Sequence, residues 1–383
     1  MSLATATDFI RVSKSSVGAD EAAALADVIE DGRLGMGAVV GSFEKDLAEF
    51  IGGAKQVVCV STGTSALQLA LEACGIGPGH EVLVPTLTYV ASFQAISATG
   101  AVPIPCDVRE HDCWLDVQDA EKRITPKTVA IMPMHYASNP GDLKSVYSLA
   151  RRHGLRVIED AAHAFGCQWN GARMGALGDV VCFSFDGIKN ITSGEGGAVV
   201  TSDKQVAERV RNARLLGVEN DTEKRMAGQR SWEFDVRAQG WRYHMSNLCA
   251  AIGRVQLRRL VTEFAPRRIV LARRYQELLA PLFPACRTLP LEYGTVVPHI
   301  FPIIIEDGRR NLVRRTLADY QIESGIHYKP NHLLSFYGGG RTRLPVAESL
   351  YEKLLTLPLH PDLGYEQQDT VVNVVRDALG GQP

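Results

Sequence analysis

Lys189 stands in CFSFDGIKNITSGEGGAVV (182–200), a glycine-rich connection between two apolar runs. An amine held in desolvated surroundings has its pKa lowered, which is what it needs to bond covalently to a carbonyl carbon. An exposed lysine without such a role is the ordinary alternative for this residue type. A second candidate lies in RVIEDAAHAFG (156–166), where an apolar run ends in Glu159 and Asp160, with His163 three residues on. In open α/β sheets ligands collect at the carboxyl ends of strands, and a carboxylate there rarely lacks a partner. Facing a pyridine nitrogen, it would keep that nitrogen protonated and make the ring an electron sink; a structural ion pair would satisfy the same residue. The third candidate is STGTSALQLAL (61–71), where a strand runs into Gly63 and directly into a helix. The N–H groups of Thr64 and Ser65 would then point out of a positively polarised helix start, which suits a phosphate or plain capping. Ser184, just before the Lys189 loop, would lie beside that phosphate. Phosphate cradle, acid and amine follow in that order, and together they are far more specific than any one of them.

Stepping from these residues to the elements that carry them, seven short apolar runs occupy 56–61, 81–85, 101–107, 128–135, 155–161, 179–185 and 197–202. Most are continuous, as expected of strands covered on both faces. Amphipathic helical patterns separate several of them, clearest at 65–75 and at 142–154, where Asp142 is placed to cap and Gly154 to stop a helix. Repeated strand–helix–strand order predicts a mostly parallel sheet flanked by helices, with the last two runs, which have no helix between them, as antiparallel partners. Beyond residue 203 the pattern changes. Residues 219–240 read as a polar loop anchored by Trp232 and Phe234. From Asn247 to about Phe283 the chain reads as helical, capped by Ser246 and kinked or broken at Pro266. A strand at 298–307 and later helix and turn signals suggest a smaller appended α/β unit. The arginines at 254, 258, 259, 267, 268, 273 and 274 read as a solvated helix face.

Composition narrows the function. With 45% hydrophobic and 22% charged residues and a net charge of −2, the 383-residue chain has the balance of a soluble globular protein and no global attraction to nucleic acid or an anionic membrane. Eight cysteines occur singly, without C-x-x-C spacing, which fits buried thiols in a reducing cytoplasm and no metal site. The N-terminus lacks the apolar stretch of a signal peptide, and no run reaches membrane-spanning length.

The motifs resemble the DegT/StrS-type sugar aminotransferases, which are fold-type I pyridoxal-phosphate enzymes. The resemblance runs through 43–71, 76–92 and 100–107, the two segments bearing Asp160 and Lys189, then GWRYHMSNLCAAIGRVQL (240–257), HYKPNHL (327–333), LPVAESL (344–350) and LTLPLHPDL (355–363). It implies a large cofactor-binding domain (15–250) with a seven-stranded, mostly parallel sheet, a smaller C-terminal α/β domain (251–383) and an N-terminal arm (1–14). It also implies that Lys189 carries the cofactor, that Asp160 pairs with the pyridine nitrogen, that His163 lies near the phenolic oxygen and that Tyr89 stacks on the ring. Gly63, Thr64, Ser65 and Ser184 match phosphate-binding positions, and His327 and Tyr328 are candidates for substrate contact. The implied reaction is transamination of a nucleotide-linked keto-sugar of the 3- or 4-keto-6-deoxy type. Glutamate would be the donor and pyridoxamine phosphate the intermediate cofactor form, in a cytoplasmic homodimer with shared active sites that serves surface-polysaccharide (O-antigen) or glycoside biosynthesis. Alternatives are a cofactor-dependent sugar dehydratase, whose relatives carry His in place of the lysine, and a regulatory protein retaining the fold. One departure is at 240–245: many relatives read G-Y-N-Y-R-M, and the family's Asn there reaches the partner subunit's cofactor phosphate. Arg242 in that place could do the same or bind substrate. HYASNPGD (135–142) also differs from the family's usual glycine-containing turn.

Overall fold

The computed structural model describes residues 9–52 and 55–380. Residues 1–8 of the expected N-terminal arm lie outside that set. The seven apolar runs form β1 (Gln56–Val60), β2 (Glu81–Pro85), β3 (Val102–Cys106), β4 (Thr128–Ile131), β5 (Arg156–Asp160), β6 (Val180–Ser184) and β7 (Gly197–Thr201). They make one sheet in the order β1-β7-β6-β5-β4-β2-β3. β7 alone runs antiparallel to its neighbours β1 and β6; the remaining pairs are parallel. Alternation along each strand explains why the runs are continuously apolar. Val57 and Cys59 join one buried cluster while Val58 and Val60 join another, and Val181 and Phe183 part in the same way from Val180 and Cys182. Helices cover both faces. α1 (Gly63–Ala73) and α2 (Val90–Ala98) pack on one side, and α3 (Leu143–His153) on the other. Asp142 caps α3 by accepting from Ser145 N, and Gly154 ends it in a left-handed conformation.

Four departures from the sequence expectation have identifiable causes. The run 128–135 leaves the ladder after Ile131, because Pro133 has no N–H to donate; pairing resumes as a single Met134–Asp160 bridge. The long helical stretch does not break at Pro266. α4 (Asn247–Arg259) continues through a π-helical turn (Leu260–Phe264) into α5 (Ala265–Leu279), and the Ala265 N–H reaches back to Leu260 O. Within 219–240 a short helix forms at Asp221–Met226, and Trp232 and Phe234, expected as anchors, are 83% and 59% exposed. The arginine series is no solvated face either. Arg268 is fully buried, Arg254 and Arg274 pair with Asp46 and Asp369, and Arg259 bridges Glu21 and Glu263.

A second, antiparallel sheet of β8 (Cys286–Thr288), β9 (Phe301–Ile305) and β10 (Leu354–Leu357) follows. The start of the described chain runs beside the segments that follow: Glu323 N donates to Ile10 O and Leu359 N to Val12 O. All eight cysteines are free, six of them fully buried. Among the described residues no helix is long and apolar enough to cross a membrane.

Candidate active site

The carboxyl ends of β1, β2, β5 and β6 open on one cavity of about 440 Å³. Gly63, Thr64, Tyr89, Asp160, His163, Ser184, Lys189, His327 and Tyr328 line it, so nine sequence-singled residues from distant segments meet there. Ser65 and Arg242 do not. Ser65 Oγ donates to Thr62 O and accepts from Thr62 N, a reciprocal cap that turns it into the helix. Arg242 lines two other depressions, one of them a cavity of about 560 Å³ with Arg33, Arg225, Arg230 and His244 and no acid among its described lining.

Strand geometry decides between the two adjacent acids. Successive side chains on β5 point to opposite faces. Asp160 therefore faces the cavity, while Glu159 faces away, bonded to His135 Nε2 at 2.9 Å and to the Tyr147 hydroxyl at 2.6 Å. Asp160 Oδ2 accepts from Ser92 Oγ at 2.6 Å and Oδ1 from Ala162 N at 3.2 Å, which fixes the carboxylate plane. At the end of β1, Thr62 caps α1 by accepting from Ser65 N, and helix geometry leaves the Gly63 and Thr64 N–H groups without intrahelical partners. Position 63 has to be glycine: a Cβ there would fall 2.7 Å from Ser184 Cβ and close the gap between the helix start and the Ser184 hydroxyl.

Burial holds the Lys189 amine below the ordinary lysine value, against the opposing pull of Asp160 and Asp186. Three histidines surround it. Burial, then the Lys189 charge, keeps His163 and His299 well below the usual imidazole range and lowers His327 to about 4. His163 Nε2 meets the Tyr328 hydroxyl at 2.9 Å, and the Tyr89 and Tyr328 rings lie 5.7 Å apart at the cavity wall. The wall is thus polar, and the three imidazoles around the amine are held neutral. Asp186 and Glu195 add acids at its edge, and burial raises the Glu195 carboxyl. Among the described residues no group of three or more His, Cys, Asp or Glu is arranged to hold a metal ion.

Sequence reasoning missed His299, Ser92 and Asp186. Ser92 carried a signal, since it lies one turn beyond Tyr89 at the start of α2 and so faces the same way. His299 carried none beyond lying at the start of the strand read at 298–307.

The DegT/DnrJ/EryC1/StrS aminotransferase family model matches residues 15–376. The chain belongs to this family. It is 32% identical over 382 residues to the spore coat polysaccharide biosynthesis protein SpsC of Bacillus subtilis (strain 168), covering 97% of this chain and 98% of SpsC. The aminotransferase TlmJ from Streptoalloteichus hindustanus superposes with a TM-score of 0.89 at 35% identity, over 97% of this chain and 99% of TlmJ. A Streptococcus pneumoniae chain named as a sugar aminotransferase, in its PLP form, gives 0.90 at 26% identity over 97% and 99%; it is also known in a PMP form. The protein is therefore a pyridoxal-phosphate-dependent aminotransferase. Its cavity fits that cofactor. It offers free helix-start N–H groups and the Ser184 hydroxyl for a phosphate, a carboxylate for a ring nitrogen, an aromatic face and an amine whose pKa desolvation lowers. The buried His163 Nδ1 also has no partner among the described atoms, as expected of a group kept for a ligand.

Proposed function

We propose that this aminotransferase transfers an amino group from glutamate to a keto-sugar of the 3- or 4-keto-6-deoxy type carried on a nucleotide, giving an amino-sugar for a surface polysaccharide or glycoside. The observation that carries the reading is that the Lys189 amine and the Asp160 carboxylate open on one cavity. The names of SpsC and of the S. pneumoniae chain support the sugar. So does a wall of neutral histidines and tyrosines, which offers hydrogen bonds to hydroxyls without demanding a charged substrate.

When bound, the cofactor supplies a conjugated ring that accepts the electron pair left on a carbon next to nitrogen. Gly63, Thr64 and Ser184 would hold its phosphate, Tyr89 its ring face, His163 its phenolic oxygen, and Asp160 the proton on its ring nitrogen. Lys189 Nζ, when free, would take the proton from the donor's α-carbon. In the second half of the cycle it delivers a proton to the former carbonyl carbon of the sugar. A neutral amine is required for the first transfer, and the buried position of Lys189 favours that form. The division into a cofactor-binding unit (15–250) and a smaller unit (251–383) belongs to the same reading, since the latter contributes His299, His327 and Tyr328 to the cavity. A cytoplasmic homodimer completes it: Arg242 and its neighbours, remote from the chain's own cavity, would serve the cavity of a second copy.

Incubation with glutamate and nucleotide-linked 3-keto- and 4-keto-6-deoxy sugars tests the proposal, with 2-oxoglutarate and the amino-sugar followed together. Equal yields of both products are expected. Deoxygenated sugar without an amine would instead identify a dehydratase, and amination of simple keto acids alone would reject the sugar.

A further inference from the structure

Among the described residues, the hydrogen-bonding neighbour of Lys189 Nζ is neither Asp160 nor His163. It is Nε2 of His299, 3.3 Å away. His299 is buried two residues before β9, some hundred positions along the chain from the lysine, and its backbone is clamped on both sides. Its N–H donates to Ser138 Oγ at 2.9 Å, and that hydroxyl in turn donates to the carbonyl of His163. Its carbonyl accepts from Arg268 Nη1 at 3.2 Å. The His299 ring lies 4.5 Å from that of His163, and its Nδ1 has no partner among the described atoms. Backbone clamps and packing therefore set where this imidazole sits.

Arg268 sharpens the point. It is a fully buried cation with no carboxylate at ion-pair distance among the described residues. Its Nη1 donates to the carbonyls of Pro298, His299 and Leu359 at 3.4, 3.2 and 3.3 Å. Burying a charge on carbonyls alone is unfavourable relative to an apolar side chain of similar size, so stability is a weak reason for its presence. Two of the three carbonyls that its Nη1 reaches, those of Pro298 and His299, belong to the segment that carries His299 toward the amine.

Resting on the reading of Lys189 as the cofactor-carrying amine, we propose that His299 is a positioning residue that docks the Lys189 nitrogen whenever it is not bonded to the cofactor. Arg268 and Ser138 act through His299. A neutral imidazole accepts an N–H from the amine and fixes the nitrogen in place without adding positive charge beside it; burial keeps His299 in that neutral state. His299 makes and breaks no covalent bond in this role. Its effect is that a freed lysine returns from one defined position in each half of the cycle.

The test uses the full chain freed of cofactor, as wild type, His299→Gln and His299→Leu. Glutamine places an amide near the Nε2 position, whereas leucine fills similar space without a polar atom. Two quantities are measured: the rate at which the visible absorption band grows on mixing with pyridoxal phosphate, and the Kd for pyridoxamine phosphate, which cannot bond to Lys189. Leucine is expected to slow band growth about tenfold or more, as loss of a hydrogen bond to a reacting group does, with the Kd held within about twofold and glutamine recovering most of the rate. The proposal fails if leucine matches wild type, or if glutamine is as slow as leucine, since packing alone would then explain the site. Should His299→Leu not fold, Arg268→Met replaces it. Slower band growth at unchanged Kd then supports the proposal, and an unchanged rate rejects it. A wild-type protein that binds pyridoxamine phosphate but never develops the band would overturn the assignment of Lys189 itself, a result separable from the others.

Discussion

On the proposed assignment, replacing Asp160 by asparagine isolates the charge that would face the cofactor's ring nitrogen. The carboxylate is buried and held by Ser92 Oγ at 2.6 Å and Ala162 N at 3.2 Å, so a similarly shaped amide would keep its place. What disappears is the negative partner of a protonated nitrogen, and one of the two existing donors then meets an NH₂ group. Removing one member of a buried charge pair is unfavourable by about 3–5 kcal/mol, which at about 1.4 kcal/mol per decade is roughly 10²- to several 10³-fold in rate. The assay is a single-turnover half-reaction: glutamate is mixed with the loaded enzyme and the loss of its visible band is timed. Asp160→Asn should still show the band, because Lys189 is untouched, and should lose it roughly 10²-fold or more slowly. Ser92→Ala keeps the charge and removes one donor, so about a tenfold slowing is expected. Should Asp160→Asn react within about threefold of wild type, or Ser92→Ala be as slow as the charge removal, the carboxylate is not acting by its charge and the reasoning is wrong.

Lys189→Ala should bind pyridoxal phosphate without developing the band, leave no borohydride-fixed adduct in mass spectrometry, and lose at least about 10²-fold in turnover. If the active sites are shared between two copies, mixing Lys189→Ala with Arg242→Ala under subunit exchange should restore up to about a quarter of the sites; no recovery would place Arg242 outside the partner's site. Histidines 163, 299, 327 and 360 all have lowered pKa values, the last two at about 4, so between that value and 6.5 the unfolded chain binds more protons than the folded one. Stability should therefore be full above 6.5 and fall as pH drops toward about 4, by about 3 kcal/mol at most for His327 alone, read from urea midpoints across that window. Arg214 is fully buried and pairs with Glu44 at 2.5 Å; Arg214→Met should lower unfolding stability by about 3–5 kcal/mol, because Glu44 is left uncompensated.

The strands and most of the cavity were legible because local chemistry marks them. Continuous apolar runs such as QVVCVS need cover on both faces, and the residues at their carboxyl ends need a ligand or a cap. Asp160, Ser184 and the Gly63 turn are found that way. Ser65 was misplaced because a serine in the first helical turn can serve a ligand or its own cap, and spacing does not separate the two. The arginine series was misread for a related reason. Charge at helical spacing usually means solvent, but a guanidinium can reach carbonyls on segments far along the chain, as Arg268 does at positions 298, 299 and 359. The contact between His299 and Lys189 is likewise a product of folding, made between segments 110 positions apart in the chain.

What unites these features is how sparingly charge is placed in the cavity: Lys189 is the one lysine or arginine in its described lining, facing Asp160, with Asp186 and Glu195 toward the edge. An amine that must be neutral when it attacks and a carboxylate that must stay negative are easily upset by further ions nearby, because in a poorly solvated space each added charge acts strongly on both. β5 keeps Glu159 out by turning it to the other face, where His135 and Tyr147 bind it, while the His135 N–H donates to the carbonyl of Asp160 and ties the two faces together. The three cavity histidines contribute hydrogen bonds and shape without contributing protons near neutrality. On this view acidification weakens the fold before it charges the cavity, because the stability tied to neutral His327 and His360 is lost between 6.5 and about 4, above the pH at which those imidazoles take a proton in the folded state.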